Sequence, residues 1–226
     1  MSSLALALAY LRQRPAQTLL NVVLLALGIA TVAALLLAGR QAERSLARGA
    51  ERVDFVVGAK GSPLQLILSA VYHLDSPTGN IPHALLDSLR AHRAVAEAIP
   101  LALGDAYEGW RVAGTEPDYV ALYEGTLAEG RLWEATGEAV LGARVAAATG
   151  LGVGSTLVTT HGLGGGDDAS YAHDDAPLRV VGVLAPGAGV LDALVLTDVG
   201  TVWDVHGLGL PPDEHAADEH AADEHA

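Results

Sequence analysis

The chain has 226 residues, a formal net charge of −14 and no cysteine. Without cysteine, the chain cannot form disulfides or carry a lipid on an N-terminal Cys. From Val53 onward it contains 25 acidic and 7 basic residues. This acidic part lacks the positive surface that binds nucleic acid or anionic lipid, so we expect no nucleic-acid partner.

Residues 1–17 form the first predicted segment. Ser3 to Arg12 is apolar on most faces, becomes basic at its end and is followed by Pro15. Aromatic and basic side chains at such an end suit the headgroup region, which predicts a helix at the cytoplasmic interface of a membrane. A frayed N-terminal extension is the alternative interpretation.

Residues 18–39 predict a transmembrane helix. They contain no charged residue, and Asn21 is the only strongly polar side chain. A helix of this length spans about 30 Å, the thickness of the bilayer's hydrocarbon core. A buried helix of a soluble protein would seldom be apolar on all faces, and a cleaved signal peptide normally has a shorter apolar region. We therefore expect an uncleaved anchor in the inner membrane, with the main domain outside the cytoplasm, although the flanking arginines do not decide the orientation.

Residues 40–52 are predicted to continue the membrane helix as a polar stalk, and residues 53–210 to form the main domain. In the first half of this domain, Ser62 and Pro63 provide the start signal of one helix and Pro117 that of another. The predicted strands are Val53–Gly58, Val95–Leu103 and Gly109–Thr115, and the predicted helices are Ser62–Leu74, Pro82–Arg93 and Glu116–Tyr123.

The second half of the domain alternates short strands and helices. Gly150 provides a helix C-terminal signal and Asp198 a helix cap. The predicted strands are Glu138–Gly142, Gly154–His161, Leu178–Ala185 and Ala193–Thr197, and the predicted helices are Ala143–Gly150 and Asp198–Val205. Because strands and helices mix without strict βαβ alternation, the predicted class is α+β.

Motifs for catalysis are missing from the sequence. Gly150–Thr156 has the glycines of a phosphate-binding loop but lacks its Lys, and it predicts a tight turn instead. There is no G-x-S-x-G or H-E-x-x-H pattern. His73 and Asp75 could orient one another, but capping and loop hydrogen bonds are the favoured roles. We expect the chain not to be an enzyme and to bind no cofactor apart from a metal ion.

Histidines and carboxylates concentrate in two segments, which suggests Zn²⁺ binding. The loop His161–Asp175 is Gly-rich and longer than a hairpin needs, and residues 211–226 contain a repeated D-E-H-A-A tail. The alternative for the tail is a solvated acidic linker. The candidate metal ligands are His161, His173, His215, His220 and His225.

The order of the motifs in the second half resembles the MacB/FtsX-like permease family of ATP-binding-cassette (ABC) systems. The pattern consists of a G-R pair before an acidic residue, a V-L-G strand, an Ala-rich helix, a V-G turn and a V-V-G-V-L strand. The residues that carry it are Gly130, Arg131, Glu138, Val140, Leu141, Gly142, Val153, Gly154 and Val181 to Leu184. Val56–Pro82 also resembles a subgroup of these permeases.

The resemblance implies a permease subunit represented by its first membrane helix and its extracytoplasmic core domain. Members usually have four membrane helices, with this domain between the first two. The implied partners are a cytoplasmic ABC ATPase, a second permease copy or paired permease, membrane lipid and a periplasmic protein. The implied function couples ATP hydrolysis by the separate subunit to transport, extraction or signalling. The acidic, histidine-bearing segments add the prediction that this function is linked to zinc. The alternative is a single-span anchored periplasmic protein that binds metal or a partner and transports nothing.

Overall fold

A computed structural model of the protein describes residues 11–162, residue 173 and residues 176–207. The chain divides into two compact units, residues 1–48 and residues 49–226. Most of the predicted interfacial segment and the whole D-E-H-A-A tail lie outside the described residues. The predicted limits of the domains therefore stay predictions.

The described part of the first unit consists mainly of one long helix, α1 (Pro15–Ala50), whose 36 residues continue two positions beyond residue 48. Its apolar side chains are exposed on every face, as Leu25 at 67% and Leu35 at 69% illustrate. The Thr31 hydroxyl bonds within the helix, donating to the Leu27 carbonyl at 2.8 Å. Among the described residues, Pro15–Gln41 is the one helix long and apolar enough to span a membrane. The predicted span and residues 40–50 of the predicted stalk thus form one continuous helix.

The second unit contains one mixed sheet, which has eight strands within the described residues. Seven strands follow the order β3-β7-β4-β8-β2-β1-β6, and β5 pairs with β7. The β2–β8 and β4–β7 pairs are parallel and the others antiparallel. This arrangement confirms the predicted α+β class. The strands are β1 (Ala102–Tyr107), β2 (Trp110–Thr115), β3 (Leu127–Gly130), β4 (Glu138–Leu141), β5 (Thr156–Leu157), β6 (Thr160–His161), β7 (Leu178–Leu184) and β8 (Leu194–Asp198).

Short helices connect and cover the strands. The Ser62 hydroxyl caps α2, and Asp198 caps α6 by accepting from the Gly200 N–H at 2.7 Å. Gly150 ends α5 in the left-handed conformation that glycine adopts without strain. The helices are α2 (Pro63–Ala70), α3 (Ala84–Arg90), α4 (Asp118–Leu122), α5 (Ala143–Thr149) and α6 (Val199–Val205), and a 3₁₀ helix covers Gly189–Ala193.

The sheet is buried on both faces. Successive residues of a strand point to opposite faces, and here Val195 and Leu196 of β8 belong to two different core clusters. The first cluster includes Tyr119 of α4, and the second includes Val145 of α5. Burial on both faces explains why the buried parts of β4, β7 and β8 are apolar at successive positions, as in residues 139–141, 180–184 and 194–196.

The motif residues behind the family resemblance meet at β3, β4 and β7. The Arg131 guanidinium donates two hydrogen bonds to the Glu138 carboxylate, at 2.7 and 2.5 Å, and Arg179 donates a third at 3.0 Å. The hydrogen bonds from Arg131, supported by the Glu134 N–H, lower the pKa of Glu138 to about 2. A Cβ at Gly182 would overlap the Arg131 carbonyl oxygen, so only glycine fits there. The motif thus has a structural role.

Several elements differ from the sequence-based prediction. The segment Val53–Gly58, predicted as a strand, pairs with none of the described strands. The strand predicted at Val95–Leu103 begins only at Ala102, and the one predicted at Gly154–His161 splits into the two-residue strands β5 and β6. Strand β3 was not predicted, because all four of its residues are exposed and only its backbone pairing with β7 defines it.

His73 and Asp75 do not act as a pair but join the core separately. His73 Nε2 and the Tyr119 hydroxyl share a hydrogen bond of 2.8 Å, and Asp75 Oδ1 accepts from the Ser76 N–H at 2.7 Å. Their two backbone carbonyls accept from the buried Arg111 side chain. Burial, with a smaller contribution from Arg111, lowers the pKa of His73 from 6.5 to about 4. This buried imidazole therefore stays neutral near pH 6.

We expect His73 to make the domain sensitive to acid. The pKa of His73 is lower in the folded than in the unfolded chain, so the unfolded chain takes up the proton first as the pH falls. The free energy of unfolding should therefore be highest above pH 6.5 and decrease as the pH falls toward 4. The loss should be about 3 kcal/mol. His73→Asn should remove this slope. The measurement is guanidinium unfolding of the full chain in detergent between pH 7 and pH 4, followed by the fluorescence of the three tryptophans, all of which lie in the second unit.

Tyr119→Phe is the matched control. It removes the hydroxyl partner of His73 but keeps the buried imidazole, so the stability should fall by about 1 kcal/mol at every pH while the slope persists. Equal slopes for the wild type and His73→Asn would contradict the prediction.

Candidate metal centre

Asp105 lies at the centre of a group of histidines near the edge of the sheet. It belongs to β1, and its side chain is 2% exposed. Strand β1 pairs with β2 on one side and with the short strand β6 on the other. A carboxylate buried this deeply requires a compensating positive charge or strong hydrogen bonds.

His161 and His173 approach Asp105 from β6 and from the chain before β7. His161 is the direct cross-strand neighbour of Asp105, which places the two side chains on one face of the sheet. The backbone N–H of His173 donates to the Thr159 carbonyl at 2.9 Å, which fixes His173 beside β6. His161 is 43% exposed and His173 only 12%, so the group reaches the surface through His161.

His206 completes the group from the end of α6. It is the C-terminal cap residue of this helix, and its backbone N–H bonds to carbonyls of the last turn. Its Nε2 lies 3.1 Å from Asp105 Oδ2, although 101 positions separate the two residues. The imidazole is thereby held over the buried carboxylate.

The four side chains offer three nitrogens and one oxygen within a small volume. One donor atom from each lies within 4.8 Å of all the others. His161 Nδ1 is 3.4 Å and His173 Nε2 is 3.7 Å from Asp105 Oδ1. The ring centroid of His161 lies 4.4 Å from that of His173 and 4.7 Å from that of His206. Three imidazoles with one carboxylate form a ligand set that suits Zn²⁺.

The sequence predicted part of this group. Of the five candidate ligands, His161 and His173 come together, whereas His215, His220 and His225 lie outside the described residues. Asp105 and His206 were missed. Neither residue stands in a histidine-rich or acidic run, so only the pairing of β1 with β6 and the end of α6 reveals them.

Comparisons with known proteins agree with the motif-based resemblance. The family model described as "MacB-like periplasmic core domain" matches residues 18–216. No curated protein sequence matches the chain significantly.

Two solved structures are similar to part of the chain. The extracellular domain of the noncanonic ABC-type transporter YknZ from Gram-positive bacteria is 13% identical, with a TM-score of 0.41, covering 66% of this chain and 75% of that one. The periplasmic region of MacB from Actinobacillus actinomycetemcomitans is 14% identical, with a TM-score of 0.42, covering 65% of this chain and 64% of that one. Because the family model covers most of the sequence, the chain belongs to the MacB/FtsX-like permease family of ABC systems and carries its periplasmic core domain.

Proposed function

We propose that this chain is a permease subunit that couples ATP hydrolysis by a separate cytoplasmic ATPase to movement of its periplasmic domain. Residues 18–39 would cross the inner membrane, with the domain on the periplasmic side. The family match, together with an apolar helix exposed on all faces, supports this assignment. ATP hydrolysis would reside in the partner, since the sequence lacks a phosphate-binding loop with its Lys.

The observation that carries the proposal is the continuity of α1. The helix runs from Pro15 to Ala50 without interruption, so its hydrogen-bonded backbone extends well past the apolar part. A continuous helix transmits displacement, whereas a flexible linker would absorb it.

The chain just after α1 is attached to the core of the second unit. Arg52 Nη1 donates to the Leu122 carbonyl at 2.9 Å, and Arg52 Nη2 lies 2.9 Å from Glu124 Oε1. These contacts reach the end of α4, whose Tyr119 and Val120 are buried in the first core cluster. A displacement that arrives at residue 52 would therefore be passed to the folded domain.

Arg48→Pro is expected to uncouple the domain from the ATPase without preventing insertion. Proline removes a backbone donor and costs about 3 kcal/mol or more inside a helix. Because the chain has no cysteine, Glu129→Cys on the exposed strand β3 provides a single spin-label site. In a dimer purified with its ATPase subunit, pulsed electron paramagnetic resonance should show a label-to-label distance that changes when ATP and Mg²⁺ are added. Arg48→Pro should abolish the change.

Arg48→Ala is the matched control, because it removes the same charge but preserves the helix. It should keep the nucleotide response. Both variants should reach the membrane at wild-type levels, with a reporter fused after residue 207 active only outside the cytoplasm. A normal response in Arg48→Pro would make the stalk a passive tether. If the wild-type chain neither copurifies with an ABC ATPase nor responds to ATP, the proposed function fails.

A further inference from the structure

We propose that Asp105, His161, His173 and His206 form a binding site for a divalent transition-metal ion of the Zn²⁺ class. The proposal does not depend on coupling to an ATPase. It rests on the convergence of these four side chains from three separate parts of the fold: the paired strands β1 and β6, the chain before β7, and the end of α6.

The geometry fits a four-coordinate ion after small side-chain movements. Four ligands at about 2.0–2.2 Å from Zn²⁺ in a tetrahedron lie about 3.3 Å from one another. The donor atoms here are within 4.8 Å of each other. His206 Nε2 lies 3.1 Å from Asp105 Oδ2 and His161 Nδ1 lies 3.4 Å from Asp105 Oδ1, so each carboxylate oxygen already has one nitrogen at close to that separation. Rotation about side-chain bonds can shorten the remaining donor–donor distances. The backbone meanwhile stays fixed by the pairing of β1 with β6 and by the cap of α6.

The buried carboxylate provides the second argument. Asp105 Oδ1 is inaccessible to solvent and accepts no hydrogen bond from any residue that the structure describes. A single protonated imidazole would be enough to neutralise the Asp105 carboxylate, yet three imidazoles surround this carboxylate. A divalent cation at this point would satisfy the carboxylate oxygen and take up the nitrogen ligands together.

The donor set also defines the class of ion. Ca²⁺ and Mg²⁺ prefer oxygen ligands, whereas imidazole nitrogen suits Zn²⁺, Cu²⁺ and Ni²⁺. Four protein ligands would fill a tetrahedral Zn²⁺ site and leave no open position for catalysis. His161, the most exposed of the four, would let the ion exchange with solvent. The bound ion would join the end of α6 to the edge of the sheet, and so would stabilise the fold by an amount that grows with the logarithm of the free-ion concentration once that concentration exceeds the Kd.

The test uses the full chain in detergent, stripped of metal with a chelator. In a parent variant, His215, His220 and His225 are replaced by Ala, so that the tail cannot contribute. We expect this parent to retain one equivalent of Zn²⁺ in equilibrium dialysis, and Co²⁺ to give the intense visible absorption of a four-coordinate site. Asp105→Asn and His206→Gln should each weaken Zn²⁺ binding by about 100-fold or more, since losing even an outer-shell partner costs 10–100-fold. His92→Gln, an exposed histidine outside the group, is the control.

A folding measurement and a replacement variant keep the outcome decisive. Tryptophan fluorescence shows whether each variant is folded, and His161→Gln replaces any variant that is not, because its side chain is the most exposed of the four. If the parent retains no Zn²⁺, or if the folded variants bind Zn²⁺ as tightly as the parent, the site does not exist and the group is only an ion-paired cluster. Retention that disappears in the parent but is present in the wild type would assign metal binding to the tail instead.

Discussion

Gly142→Ala is expected to destabilise the second unit strongly. Gly142 follows β4, and a Cβ there would overlap the backbone carbonyl oxygen of Leu191 and lie 2.5 Å from the carbonyl of Asp192. Leu191 is completely buried, so its backbone cannot move aside cheaply. The Gly142 N–H also donates to the Leu194 carbonyl at 2.8 Å, which holds the two segments together. Overpacking of this kind costs about 3 kcal/mol or more.

Gly152→Ala is the matched control for this prediction. A Cβ at Gly152 would meet no described atom within 4 Å, and the change should alter stability by no more than about 1 kcal/mol. Guanidinium unfolding of both full-length variants in detergent, followed by tryptophan fluorescence, measures the difference. Similar midpoints for the two variants would show that the chain after β4 does not approach the 3₁₀ helix as closely as described.

Arg111→Met should cost about 3 kcal/mol of stability. Arg111 is 4% exposed on β2, and its Nε and Nη2 donate to the carbonyls of His73 and Asp75 at 3.2 and 2.6 Å. Hydrogen bonds from a charged group contribute about 1.5–3 kcal/mol each, and the variant leaves two carbonyls without their donor. Burial lowers the pKa of Arg111, an unfavourable desolvation that offsets part of this gain. The readout is again the unfolding free energy of the full chain.

Arg111→Lys and Arg93→Met separate the possible causes. Lysine keeps the charge but lacks the planar fork that reaches two carbonyls, so an intermediate loss is expected. Arg93 is exposed, and its replacement should change stability by no more than about 0.5 kcal/mol. Hydrogen exchange should also become faster around His73 and Asp75 in Arg111→Met. Unchanged exchange and stability would mean that Arg111 does not fix this segment.

The long apolar helix and several short elements could be predicted from the sequence, because their causes are local. An uncharged run predicts α1 whatever surrounds it. Ser62 and Asp198 begin helices with their own side chains, and Gly150 ends one with its own backbone. The order of the motifs also indicated the family. Several motif residues are required by the fold itself, because Arg131 bonds to Glu138 and packs against Gly182.

Strand pairing and the candidate metal centre depended on the tertiary structure. Val53–Gly58 has the residues of a strand but lies beside no described strand that could accept its hydrogen bonds, whereas the exposed β3 is a strand because β7 pairs with it. Local histidine density identified His161 and His173. Asp105 and His206 joined them only because β1 pairs with β6 and α6 ends above that edge. A site whose ligands are separated by 101 positions leaves no local pattern in a single sequence, since only packing of the chain brings those ligands together.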